Sequence, residues 1–142
     1  MGSYQRARVL LVDDEKLVVD FLGRALRRHH QLTALRSAED ALVLLEVGAR
    51  FDAILCDLSM PKFSGIDLYN RLKSTCPDQA ARMIFVTGGA TTRAAATFLE
   101  QAPSEPLYKP FEIEEALEAI EKLRRKTQAR RLSTGNLQTV RT

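Results

Sequence analysis

Arg8-Val9-Leu10-Leu11-Val12-Asp13-Asp14-Glu15-Lys16-Leu17-Val18-Val19-Asp20-Phe21-Leu22 changes its period in the middle. The apolar run over residues 9–12 reads as a strand buried on both faces. Three carboxylates follow at 13–15. Beyond them Leu17, Val18, Phe21, Leu22, Ala25 and Leu26 recur at helical spacing. That spacing predicts a helix over residues 15–28 with these side chains on one buried face. Strand, acidic turn and amphipathic helix make one βα unit.

The rest of the chain repeats the unit. A short strand over 32–35 precedes a helix capped by Ser37, with Asp40 three residues on and Gly48 at its end. Residues 51–56 read as a third strand, followed by a loop marked by Pro61 and Gly65 and a helix over 66–74. Residues 83–86 read as a fourth strand, closed by Thr87-Gly88-Gly89 and followed by a small-residue helix over 92–100. Leu107-Tyr108 is a fifth strand, and a long helix over 112–126 ends the pattern. Apolar strands alternating with amphipathic helices predict a doubly wound parallel α/β sheet with right-handed connections. The expected organisation is an N-terminal extension or cloning remnant over 1–5, one domain over 6–126, and a basic flexible tail over 127–142.

Composition agrees with a single globular domain. The chain has 142 residues, 45% hydrophobic and 27% charged, which argues against disorder and low complexity. No apolar run approaches the roughly 20 residues of a membrane helix, and the first eight residues carry no signal-type apolar stretch. Cys56 reads as a small buried thiol and Cys76 as a surface one. Neither belongs to a disulfide framework, and both fit a reducing, cytoplasmic setting. The net charge of +3 is uneven: residues 122–142 carry seven bases and no acid, so the body holds 14 bases against 18 acids. The basic stretch has no aromatic residue, so it reads as a solvated helix end complementing the helix dipole rather than a nucleic-acid surface.

In open α/β sheets, ligands sit beyond the carboxyl ends of the strands. There the sequence puts Asp13-Asp14-Glu15, Asp57, Thr87 and Lys109, while the second strand contributes nothing comparable. Clustered carboxylates repel one another and become comfortable around a hard divalent cation. A carboxylate beside Mg²⁺ can attack phosphorus and form an aspartyl phosphate. An ammonium and a hydroxyl nearby then meet the charge spreading over the phosphoryl oxygens. Each residue alone has a plain structural reading: Asp13 or Asp14 as a helix cap, Asp57 in a loop, Thr87 at a strand end, Lys109 snorkelling. Their joint placement is what points to chemistry.

Leu11-Val12-Asp13-Asp14-Glu15, Asp57-Leu58-Ser59-Met60-Pro61 with Gly65, Val86-Thr87-Gly88 and Lys109-Pro110-Phe111 resemble the signature of the response-regulator receiver domain of two-component phosphorelays. The resemblance covers residues 6–126. It implies a flavodoxin-like (βα)5 fold, a five-stranded parallel sheet in the order 2-1-3-4-5. It implies Asp57 as phosphoacceptor. It implies Mg²⁺ held by Asp14, Asp13, Asp57 and the Ser59 carbonyl. Thr87 and Lys109 would meet the phosphoryl group, and the Lys109–Pro110 bond would be cis. The implied partners are a sensor histidine kinase or histidine phosphotransfer protein upstream and a protein target downstream, with no direct nucleic-acid contact and no membrane insertion; homodimerisation stays open. The implied activity is that of a phosphoacceptor switch rather than an enzyme, with self-phosphorylation and slow autodephosphorylation. Phosphorylation adds about −1.5 to −2 charge and new acceptors. That change would draw in Thr87 and Lys109 and alter the face made by the helix at 92–100, the fifth strand and the last helix.

One position departs from the pattern. Pro106 stands where the family often has a switch aromatic, three residues before the lysine. With the Thr87-Gly88-Gly89-Ala90 loop it resembles receivers attached to hybrid sensor kinases, so a hybrid-kinase module and a free-standing receiver both fit. It also leaves room for a degenerate receiver acting as a phosphorylation-independent interaction module. A Mg²⁺ phosphohydrolase is a third reading. A nucleotide-binding fold is disfavoured because acids, not glycines, follow the first strand. Asp13-Asp14-Glu15 does not match the Asp-x-Asp of haloacid-dehalogenase-type phosphatases. His29-His30 reads as a helix end rather than a phosphohistidine. The 16 residues after Lys126 are too few for a DNA-binding fold.

Overall fold

The computed structural model describes residues 5–89 and 92–141, with side chains as far as residue 132. Residues 1–4 of the expected extension and Ala90 of the expected loop lie outside the described residues. Five parallel strands form one sheet: β1 (Arg8–Val12), β2 (Gln31–Leu35), β3 (Ala53–Asp57), β4 (Met83–Thr87) and β5 (Leu107–Tyr108). Their order is β2-β1-β3-β4-β5, the flavodoxin-like arrangement. The chain leaves β1 to one side for β2 and returns past it to β3, so the strand order reverses at β1.

Between their ends the central strands are apolar because both faces are covered. Leu10, Val12, Ile54, Cys56, Met83 and Phe85 face one way, against α2 (Ala38–Glu46), α3 (Gly65–Thr75) and α5 (Arg93–Glu100). Val9, Leu11, Ala53, Leu55, Ile84 and Val86 face the other, against α1 (Lys16–Arg27) and α6 (Ile113–Arg141). Strand alternation thus splits one sheet between two cores. Ser37, Ser64 and Thr92 each accept a backbone amide at a helix start, and Ser64 with Asp67 completes a capping box. The helix α5 is the loosest: it has no fully buried residue. Its Phe98 ring meets Phe85 and Tyr69 edge-on, at centroid distances of 5.0 and 5.4 Å.

Three expectations change. Leu17 and Phe21 are each 81% exposed, and α1 buries Leu22, Gly23 and Leu26 instead. The apolar arc of α1 is wider than the strip the sheet covers. An extra helical turn, α4 (Pro77–Ala80), starts where the sequence suggested only a helix end. Pro77 occupies its first position, where a missing N–H costs nothing. The last helix also runs past the end of its apolar period, to Arg141. Its contact with the core ends at Leu123, and the Arg, Lys, Gln, Ala and Leu that dominate residues 124–132 are good helix formers.

Cys56 is buried and Cys76 is half-buried, its Sγ 3.7 Å from the Leu45 carbonyl. Burial pushes the Cys56 thiol far up, so it stays protonated. His30 is buried at the sheet end opposite the acids, where its Nδ1 accepts the Ala7 amide at 3.1 Å.

Candidate functional site

Where β1 ends, the Asp13 amide donates to the Leu35 carbonyl at 3.1 Å and prolongs the β1–β2 ladder by one bond. The Asp13 carboxylate accepts the Glu15 amide at 2.9 Å, an Asx-type turn that starts α1. Asp57 is the last residue of β3, and its neighbour Leu58 donates to the Val86 carbonyl at 2.9 Å. Thr87 ends β4 and is buried. Its Oγ1 accepts the Gly89 amide at 3.1 Å, with Gly89 at φ +118°. The Lys109 amide donates to the Thr87 carbonyl at 2.8 Å, which brings β5's end level with β4's. The Lys109–Pro110 peptide bond is cis.

Side chains from three strand ends then converge. One carboxylate oxygen from each of Asp13, Asp14 and Asp57 lies within 4.8 Å of the others. The Lys109 ammonium reaches 3.6 Å from Asp13, 3.8 Å from Asp57 and 3.8 Å from Glu15. Burial, and next the charge of Asp13, push the Asp57 carboxyl up to about 6, against the pull of Lys109 and the Ser59 amide. Burial raises Asp13 too, against the Glu15 amide and Lys109. This small all-oxygen donor set, its charges opposed to one another, fits a hard divalent cation such as Mg²⁺. Ser59 is exposed, and its amide serves the Asp57 carboxylate.

The geometry adds a residue the sequence left out. Arg36, directly after β2, reaches across to the Asp14 carbonyl with Nη2 at 3.0 Å and Nε at 3.3 Å. The second strand therefore does contribute at this end. Its position just past a strand was the available signal.

Away from the acids, a groove of about 880 Å³ runs between α5, the loop before β5, and α6. Leu99, Pro106, Leu107 and Leu123 give it apolar lining, with Glu115 and Glu118 among its charged residues. Tyr108 is 56% exposed.

A family model for the response regulator receiver domain matches residues 9–121. "Response regulator MprA" of Mycobacterium leprae is 33% identical over 122 residues, 84% of this chain and 52% of that protein. A "Probable cyclic di-GMP phosphodiesterase" of Vibrio cholerae is 27% identical over 115 residues, 80% of this chain and 25% of that protein. A solved receiver domain protein from Methanospirillum hungatei has TM-score 0.74 at 26% identity, over 86% of this chain and 97% of its own. One from Clostridium thermocellum, at 24% identity and TM-score 0.76 over 87% of this chain and 98% of its own, shares the fold. The chain spans about half the length of the MprA relatives it matches.

Proposed function

The chain belongs to the response-regulator receiver family, and from that premise we propose that it carries a phosphoryl group on Asp57, taken from a phosphohistidine on a sensor kinase or phosphotransfer protein. The observation that carries this reading is the convergence of Asp13, Asp14 and Asp57 with Lys109 at one sheet end. An Asp57 carboxylate oxygen attacks phosphorus, the P–N bond breaks, and its electron pair leaves with the imidazole, which takes a proton. Asp13, Asp14, Asp57 and the Ser59 carbonyl would hold Mg²⁺, which when bound neutralises the carboxylates and polarises the phosphoryl oxygens. Lys109 places a positive charge where the phosphoryl oxygens gather theirs. Water attack on phosphorus later returns the free carboxylate. The chain would act in the cytoplasm as a switch; among the described residues no helix is long and apolar enough to cross a membrane.

Readout would fall on the face of α5, β5 and α6. Support comes from the absence of any fully buried side chain in α5, which makes it the least costly helix to shift. Thr87 and Lys109 sit at the ends of the strands beside it and share a backbone hydrogen bond.

The test is intact mass after incubation with acetyl phosphate, with and without Mg²⁺. One phosphoryl group should be gained only with Mg²⁺, and Asp57→Asn should gain none. No gain in wild type with metal bound would favour the degenerate interaction module, for which Pro106 leaves room, or a strict need for the cognate kinase, and no gain from a phosphohistidine donor either would overturn the reading.

A phosphohistidine donor must also seat beside Asp57. Leu17 and Phe21, one turn apart on α1 and each 81% exposed, offer an apolar pair immediately beyond Glu15. The double substitution Leu17→Ala, Phe21→Ala should slow transfer from a protein donor about tenfold and leave acetyl phosphate labelling unchanged. Equal slowing with both donors would remove α1 from the docking surface.

A further inference from the structure

We propose that Arg36 is a positioning residue for the cation site: its guanidinium clamps the Asp14 carbonyl and so holds the Asp14 carboxylate in place beside Asp13 and Asp57. The inference rests on the reading of Asp14 as a cation ligand.

The acidic turn is tied down bond by bond. The Asp13 amide is held by the Leu35 carbonyl and the Asp13 carboxylate by the Glu15 amide. The Glu15 carbonyl takes the Val19 amide as α1 begins. In the peptide unit between Asp14 and Glu15 the amide is thus already held, and Arg36 holds the carbonyl oxygen with two nitrogens. The register of the sheet makes this reach possible. Val12 pairs with Leu35, so the residues after each strand leave the ladder side by side.

Two effects of Arg36 oppose each other. A clamp that fixes Asp14 removes a conformational freedom that cation binding would otherwise have to remove. A positive charge near the site repels a cation. The clamp wins for a local reason. Arg36 is exposed, so its charge is screened by solvent. It also lies in the field of Asp20, an acid on α1 already bonded to Lys16 at 2.7 Å. Arginine suits the task because its planar fork can present two N–H groups to one oxygen, whereas a lysine ammonium on a flexible stem cannot fix a direction.

The experiment is Mn²⁺ binding to the unphosphorylated full chain, read from the loss of the free-ion electron paramagnetic resonance signal. Wild type, Arg36→Ala and Arg36→Lys are compared, with thermal melting of each in the absence of metal. Both variants should bind Mn²⁺ about tenfold more weakly, with melting unchanged. Raising Mg²⁺ to saturation should restore the acetyl phosphate labelling rate of both. Tighter binding by Arg36→Ala with Arg36→Lys unchanged would mean that only charge acts, and would overturn the proposal. So would wild-type affinity in both variants, or a loss of affinity that tracks a fall in metal-free melting. A wild-type chain that binds no Mn²⁺ would overturn the reading of the acid cluster and this inference with it. A wild-type chain that binds, beside variants that bind equally well, would overturn this inference alone.

Discussion

Gly65→Ala should destabilise the protein by about 3 kcal/mol or more, lowering the melting temperature by roughly 10 °C. Gly65 opens α3 immediately beyond the site, and its amide donates to the Leu58 carbonyl at 3.2 Å. A Cβ built there would press into the backbone carbonyl oxygen of Asp57, with the Cys56 Sγ and Leu58 Cα both at 3.2 Å. None of these is the free end of a flexible chain. Asp57 belongs to β3, a strand bonded on both sides, so its carbonyl cannot retreat without shifting β4 or β1. Gly65 is therefore required by close approach and not by backbone angle.

Gly48 makes the contrasting case. It has φ +115° and nothing within 4 Å of a built Cβ. An alanine there meets backbone strain alone, about 1 kcal/mol. Urea denaturation of both variants should rank Gly65→Ala well below Gly48→Ala. Removing the sulfur with Cys56→Ala should not rescue Gly65→Ala, because the nearest obstacle is main chain. Rescue, or an equal loss at both glycines, would sink the argument. Since the obstacle is the backbone of Asp57, the proposed phosphoacceptor, Gly65→Ala should also slow acetyl phosphate labelling under conditions where the variant remains folded.

The parts of this fold that can be read from sequence are those where a single physical cause dominates. Residues 9–12, 53–56 and 83–86 are apolar without a break because they are covered on both faces, and runs this short are strand-length rather than helix-length. The acids were legible for a related reason: a strand can end in a carboxylate only where the sheet ends. α1 shows the limit. Six apolar residues share its broad face, yet spacing cannot say which part of a wide arc the sheet will cover. The structure turns Leu22, Gly23 and Leu26 inward and leaves Leu17 and Phe21 out. Pro77 misled by the same kind of ambiguity, since proline both ends one helix and opens the next. Arg36 was legible only by its place just past a strand, and an exposed arginine after an edge strand is ordinary. Its bond to Asp14 follows from the β1–β2 register, a long-range fact that no local pattern contains.

In metal-free buffer at pH 7, Asp57→Asn should be more stable than wild type, by up to about 3 kcal/mol. The Asp57 carboxyl lies at about 6 in the folded chain, raised first by burial and next by the charge of Asp13, against an ordinary 3.8. Below about pH 4 both folded and unfolded chains hold this proton, and Asp57 does not disturb folding. As pH rises toward 6 the unfolded chain releases its proton first, so folding must retain one that water would take, and stability falls. Above 6 the folded chain is ionised as well, and the full penalty persists. Asparagine has no proton to lose, so its denaturation midpoint should vary less between pH 4 and 6. Some slope remains, because Asp13 is raised by burial in the same direction. Mg²⁺ should then reverse the ranking gap: it stabilises wild type by binding the folded state alone and does much less for a site that has lost a carboxylate. Urea midpoints for both proteins across pH 4–7.5, in chelator and in Mg²⁺, decide the matter. If Asp57→Asn is the less stable protein at pH 7 in chelator, the acids are not opposed as their geometry requires. If it is the more stable, the receiver keeps three carboxylates together at a standing loss of stability, and that loss is what makes the cluster ready for a cation and a phosphoryl group.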